Sequence, residues 1–155
     1  MSIRATILET GDPLLVGAEI TINAPARKIF DLLATPERHP DIDGSGTVRG
    51  SLRGPKRLYL GAKFGMAMRI KLPYRITNEV VAFEEDRLIA WRHLMHWVWR
   101  YELTAVDAHT TLVREYFDAN PSRSKKWLEV TGAIARNPKM IAKSLVRLKE
   151  LAERP

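Results

Sequence analysis

The sequence predicts an α+β protein, a curved antiparallel sheet of about six or seven strands wrapped on a long C-terminal helix, with two short helices after the first strand. Three observations predict it. From Ser124 to Glu153 apolar residues recur three or four apart: Trp127, Val130, Ile134, Pro138, Ile141, Leu145, Leu148 and Ala152. That spacing places them on one helical stripe roughly 40 Å long. Between Thr47 and Asp118 the pattern changes to period two, in runs separated by short polar turns, which is the pattern of a meander. A sheet and a helix that are each apolar on one side bury those sides against each other, so two layers follow.

The elements follow in chain order. Leu14–Asn23 alternates Val16, Ala18, Ile20 and Ile22 against Leu15, Glu19 and Thr21, the signature of a half-buried strand. Ala24-Pro25 ends it, and Ile29, Phe30, Leu32 and Leu33 mark a helix from about Pro25 to Ala34. Thr35-Pro36 opens a second short helix, with Thr35 as cap, that stops by His39-Pro40. Asp41 to Gly46 reads as a turn. Strands are expected at Thr47–Leu52, Lys63–Leu72, Arg75–Phe83, Leu88–Met95, Trp97–Val106 and Thr110–Asp118, with Pro73 as an interruption. In the terminal helix, Asn137-Pro138 predicts a kink or break, and Gly132 weakens the same region.

Composition bounds the function. A chain of 155 residues with 45% hydrophobic residues suits one domain, 1–155, with a real core. The absence of cysteine excludes disulfides, thiolate nucleophiles and cysteine metal sites. Met1–Leu15 carries Arg4, Glu9 and Asp12 and no sustained apolar run, so a cytoplasmic location is expected. The formal net charge of +7 permits weak contact with an anionic membrane surface. Basic clusters lie at Arg49, Arg53, Lys56 and Arg57, and at Arg123, Lys125 and Lys126, where a helix begins and its dipole disfavours cations. No nucleic-acid reading module accompanies them. A monomer or homodimer is expected, without cofactor.

Several stretches carry a family resemblance. They are Ile20-Thr21-Ile22-Asn23-Ala24-Pro25 followed by Ile29-Phe30-Asp31-Leu32-Leu33, then Ile89-Ala90-Trp91-Arg92-His93, Trp99-Arg100-Tyr101-Glu102-Leu103, Thr111-Leu112-Val113 with Glu115 and Phe117-Asp118, and Leu145-Val146-Arg147-Leu148. Together they resemble the START/Bet v 1-like (SRPBCC) superfamily, the helix-grip fold, and within it the bacterial polyketide cyclase/dehydrase and lipid transport family. The resemblance covers roughly Val16 to Glu153. It implies a deep apolar cavity between sheet and helix that binds or transports a lipid, sterol or polyketide-like molecule. None of the stretches is a catalytic signature, and fold alone assigns no activity.

The aromatic and methionine residues are the candidate lining. Period two puts Trp97, Trp99 and Tyr101 on one face and Ile89, Trp91 and His93 on one face of the preceding strand, both read as inward. Phe64, Met66 and Met68 on a third strand and Ile134 and Ile141 on the helix complete the candidate ligand-binding set. Arg100 and Glu102 then face outward, placed to pair across strands. On the last strand either Val113, Glu115 and Phe117 or Leu112, Arg114 and Tyr116 face inward. If Glu115 does, it is a carboxyl in an apolar cavity, costly to ionise. His93 and Glu115 are the candidate catalytic pair, an acid and a base for cyclisation or dehydration. A carrier, a cyclase or dehydratase of the same fold, and a membrane- or partner-docking module are thus the alternatives. No metal site is expected: His93 and His96 point to opposite faces of an extended chain, His39 and His109 stand alone, and Asp41 and Asp43 lack the downstream glutamate of a calcium loop.

Overall fold

The structure, a computed structural model, describes residues 4–155. Met1, Ser2 and Ile3, the beginning of the Met1–Leu15 stretch, lie outside the described residues. Eight strands form one antiparallel sheet: β1 (Thr6–Ile7), β2 (Leu15–Ile22), β3 (Val48–Ser51), β4 (Lys63–Ile70), β5 (Leu72–Glu84), β6 (Leu88–His93), β7 (Val98–Asp107) and β8 (Thr110–Asp118), in the order β1-β2-β8-β7-β6-β5-β4-β3. The strand beyond the predicted number is β1, a two-residue edge that carries no readable alternation. Register shifts at Val80/Ala82 and Ala105/Asp107 add a residue to one strand of a pair, which bends the sheet and deepens its twist.

Helix α1 (Ala26–Ala34) follows β2, and a 3₁₀ turn (Pro36–Arg38) leads into α2 (His39–Ile42). The second helical segment therefore continues past His39-Pro40. Pro40 occupies the first turn of α2, where its missing N–H has no intrahelical acceptor to lose. Thr35 does not cap through its side chain; its hydroxyl donates backward to the Asp31 carbonyl at 2.6 Å. Pro73 lies inside β5 rather than interrupting it, next to a tight hairpin in which Ile70 pairs with Leu72. Lys71 alone turns that corner, in a left-handed conformation with φ 60°.

The terminal helix is two helices, α3 (Lys125–Val130) and α4 (Ala133–Ala152), and the break falls at Gly132 instead of Asn137-Pro138. Gly132 sits at φ 71°, a left-handed conformation that glycine adopts without the Cβ penalty. Pro138 is inside α4, one turn past its start, where it removes one ladder bond. The break also ends the apolar stripe. Ile141, Leu145, Leu148 and Ala152 are buried under the sheet, whereas Trp127 is 58% and Val130 77% exposed. Heptad-like spacing read across a left-handed residue no longer reports one face.

Helix α4 lies chiefly across β2, with its C-terminal end tied to that strand: Lys149 donates to the Thr21 carbonyl at 3.1 Å and the Asn23 N–H to Glu153 at 2.7 Å. On the inner face of the sheet, Ala18, Ile20 and Ile22 of β2 and Val113 and Phe117 of β8 are buried with Phe30 and Leu33 of α1. The outer face carries cross-strand pairs Glu19–Arg114 at 2.8 Å and Glu79–Arg92 at 3.2 Å. Arg100 pairs with Glu102 two residues along β7, not across strands, and sets its guanidinium over Tyr116 of β8. Exposed pairs of this kind contribute little stability, so the core decides. Leu145→Ala should lower unfolding free energy in urea by about 2–5 kcal/mol, and Val130→Ala by less than about 0.5 kcal/mol.

Candidate functional site

Toward the N-terminal half of α4 the sheet and helix part, leaving a cavity of about 430 Å³. That is the volume of a small-molecule site. Its sheet wall is Met66, Met68, Ile76, Trp91 and Trp99; its helix wall is Met140 and Ile141; Leu33 and Ile42 close the end toward α1 and α2. The loop from α2 to β3 forms a rim. Gly44 holds that rim against α4, where an added Cβ would lie 2.5 Å from the Lys143 Cβ, and its N–H donates to the Ser144 hydroxyl at 2.8 Å. Asp43 keeps the rim folded by accepting from the Val48 N–H at 3.0 Å and the Ser45 hydroxyl at 2.7 Å.

Among the polar side chains of the lining, Glu115, Tyr101, Asn78 and His39 stand against its apolar wall. On β8 the inward face is the one with Val113, Glu115 and Phe117, so Glu115 is buried at 3% exposure. Burial pushes its carboxyl up to about 8 against the pull of the Tyr101 hydroxyl, and the negative charge of Asp43 adds to the rise. Glu115 therefore holds a proton at neutral pH. Tyr101, opposite it on β7, is driven well above the ordinary phenol range by burial and by Glu115. Asn78 enters from β5, and its Oδ1, like Glu115 Oε1, is buried with no hydrogen-bond partner among the described residues. His39 enters from α2. Its Nε2 lies 2.7 Å from the Leu33 carbonyl, which must accept, so the proton of the neutral ring is on Nε2. The ring stacks on Trp91 at 4.9 Å and meets Phe64 edge-on at 5.8 Å. Burial lowers it to about 4, so it is neutral at physiological pH.

Of the candidate ligand-binding residues, Met66, Met68, Trp91, Trp99, Tyr101 and Ile141 line the cavity. Phe64 is buried behind His39 and Trp91, and Ile134 packs against the core. His93 and Trp97 stand elsewhere. The chain leaves β6 at His93, whose ring stacks on Trp97 at 4.0 Å; Trp97 in turn lies parallel to Trp127. His93 is the last residue of β6, opposite Asn78, and its ring is drawn off the cavity by Trp97 and by the Met95 N–H, which donates to His93 Nδ1 at 3.0 Å. Burial lowers His93 to about 4. It is also far from Glu115. Glu115 pairs with Tyr101, and Tyr101 with Ile89. His93 is thus two strands across and roughly 13 Å along the sheet, so the two cannot exchange a proton directly.

Several cavity residues were missed by the sequence reading, Asn78 and His39 among them. Asn78 was legible, since Ile76, Asn78 and Val80 alternate with Thr77 and Glu79, putting one amide on an apolar face. His39 left no comparable signal: it is isolated, and only the continuation of α2 brings it onto Trp91. Among the described residues no three metal-ligating side chains converge, and no helix is long and apolar enough to cross a membrane.

An antiparallel sheet gripping a terminal helix around an open, mostly apolar cavity defines a helix-grip protein. The chain belongs to the polyketide cyclase / dehydrase and lipid transport family, whose description matches residues 14–153. An uncharacterised protein of Mycobacterium tuberculosis is 35% identical over 150 residues, covering 94% of this chain. The chain spans 66% of that relative's length. Among solved structures, a protein from Mycobacterium smegmatis superposes with a TM-score of 0.70 at 14% identity, covering 96% of each chain. The Zhui aromatase/cyclase from a Streptomyces species superposes with a TM-score of 0.67 at 16% identity, covering 90% of this chain and 93% of its own. At such identities the likeness is one of fold.

The titrating groups set the pH dependence of stability. Glu115 binds its proton more tightly folded than unfolded, so its contribution is complete at low pH and is lost as pH rises through about 8. His39 and His93 bind protons less tightly folded, so stability falls as pH drops from 6.5 toward 4. From these three groups stability peaks near pH 6.5. Glu115→Gln should remove the alkaline decline, about 2 kcal/mol between pH 6.5 and 8, in urea titrations across pH.

Proposed function

We propose that the protein binds a hydrophobic small molecule bearing a hydroxyl or carbonyl group, with its apolar body between sheet and α4 and its polar group at Glu115, Tyr101 and Asn78. Lipids, sterols and polyketide-like molecules are of this class. The observation that carries the reading is the pair of unpartnered atoms, Glu115 Oε1 and Asn78 Oδ1, buried in the wall of an apolar cavity. A buried polar atom without a partner costs about 1–3 kcal/mol. A guest that supplies the missing bonds recovers that cost, which is a selective advantage over a guest of the same shape without a polar group.

A second reading is a cyclase or dehydratase. What favours it is the protonated Glu115, a carboxylic acid able to donate to a carbonyl or a departing hydroxyl at neutral pH. Proton abstraction from carbon also needs a base; His93 is not on the cavity wall, and His39, the neutral imidazole that is, is lowered by burial to about 4 and so is a weak one. Binding therefore leads.

The test compares naphthol with naphthalene by fluorescence titration. The wild-type chain should bind one molecule of naphthol and prefer it by about tenfold, the value of one recovered hydrogen bond. Glu115→Leu combined with Asn78→Leu should erase the preference while retaining naphthalene. Equal affinity of the wild type for both compounds would overturn the polar-recognition reading, and binding of neither would overturn the cavity itself.

A further inference from the structure

The end of the molecule where the cavity opens carries exposed apolar side chains interleaved with cations. Along β5, Asn78 lies opposite His93, the last residue of β6, so Leu72–Thr77 runs on past the sheet's neighbouring strand. The β4–β5 hairpin thus projects at the end where the chain turns from β6 into β7. Its tip holds Leu72, 76% exposed, with Ile70 and Tyr74 also exposed. Helix α3 sits at the same end. The Arg123 N–H donates to the Met95 carbonyl in the β6–β7 turn at 3.1 Å, and Trp127 lies parallel to Trp97 at 6.4 Å. Ile70 of the hairpin and Arg136 of α4, both exposed, are part of the cavity lining and mark its open side.

Cations are interleaved with these apolar groups: Arg69, Lys71 and Arg75 on the hairpin, and Arg123, Lys125 and Lys126 leading into α3, all exposed. Among the described residues none of them makes an ion pair. Two separated projections, each with an exposed aliphatic or aromatic side chain ringed by Lys and Arg, match the boundary of a bilayer. There aliphatic groups enter the acyl region, Trp and Tyr sit among the headgroups, and cations face anionic phosphates.

We infer that this rim, the β4–β5 hairpin and α3 together, docks the protein on an anionic membrane surface with the cavity mouth facing the lipid. A hydrophobic guest could then pass between bilayer and cavity without crossing water. Docking stands apart from the choice of guest, and its test is separate.

The full chain is sedimented with vesicles of phosphatidylcholine, with and without phosphatidylglycerol. Binding is expected to the anionic vesicles only, and should weaken as salt is raised. Lys71→Glu with Lys126→Glu should lower the partition coefficient by at least about fivefold per site. Leu72→Ser with Trp127→Ser should lower it as well, with less blue shift of the tryptophan emission on vesicles. These side chains lie off the cavity wall, so naphthol binding should match the wild type in both variants, and the lysine pair, exposed and without packing partners, should also keep the wild-type melting temperature. No sedimentation at low salt, or sedimentation unchanged by both double variants, overturns the proposal. So does a dimer in analytical ultracentrifugation that Leu72→Glu converts to monomer, since the rim would then belong to a second copy.

Discussion

Helix α4 must cover a sheet that curves away from it, and one straight helix cannot touch a concave surface along its whole length. Its C-terminal half does touch: Leu145, Leu148 and Ala152 are sealed against β2, and Lys149 and Glu153 fasten that end. Its N-terminal half is held off by the bulk of Trp91, Trp99 and Tyr101 and by the α2–β3 rim wedged at Gly44. The cavity is the geometric remainder. A packed interior of this size would ordinarily be filled to crystal-like density, so unfilled volume lined by Met66, Met68 and Met140 is a feature that the rest of the structure maintains.

That remainder sets the electrostatics. Glu115 is not neutral because of a special partner but because the space beside it is apolar and the rim carboxylate Asp43 is near. Tyr101 and His39 follow the same rule, each held in its uncharged form by burial. The inner wall therefore presents uncharged hydrogen-bonding groups, with Asp43 and Arg136 as the charged residues of the lining.

The fold was legible because period two and the recurrence of three or four are strong in this chain. Thr110–Asp118 is a strand with the predicted limits, and the α1 segment ends at Ala34 as expected. What could not be read depended on single residues acting through the tertiary structure. Gly132 and Pro138 both break helices in principle, and only the left-handed conformation at Gly132 decides between them. The inward face of β8 was open because both faces carry a charged residue, Arg114 or Glu115. Pairing with Glu19 draws Arg114 outward, and β2 was not assignable as its neighbour from local pattern. His93 ends β6 opposite Asn78, but its ring turns to Trp97 and the Met95 N–H, a contact that alternation alone does not reveal. His39 entered the site only through packing.

Native mass spectrometry of the chain mixed with a size-graded series of hydrophobic phenols and ketones tests the account most directly. If α4 and the sheet enclose usable space, one guest per chain should be retained up to a size limit, and Ile141→Trp should remove retention by filling the room. Retention of no guest, or retention without a size limit and indifferent to Ile141→Trp, would contradict it.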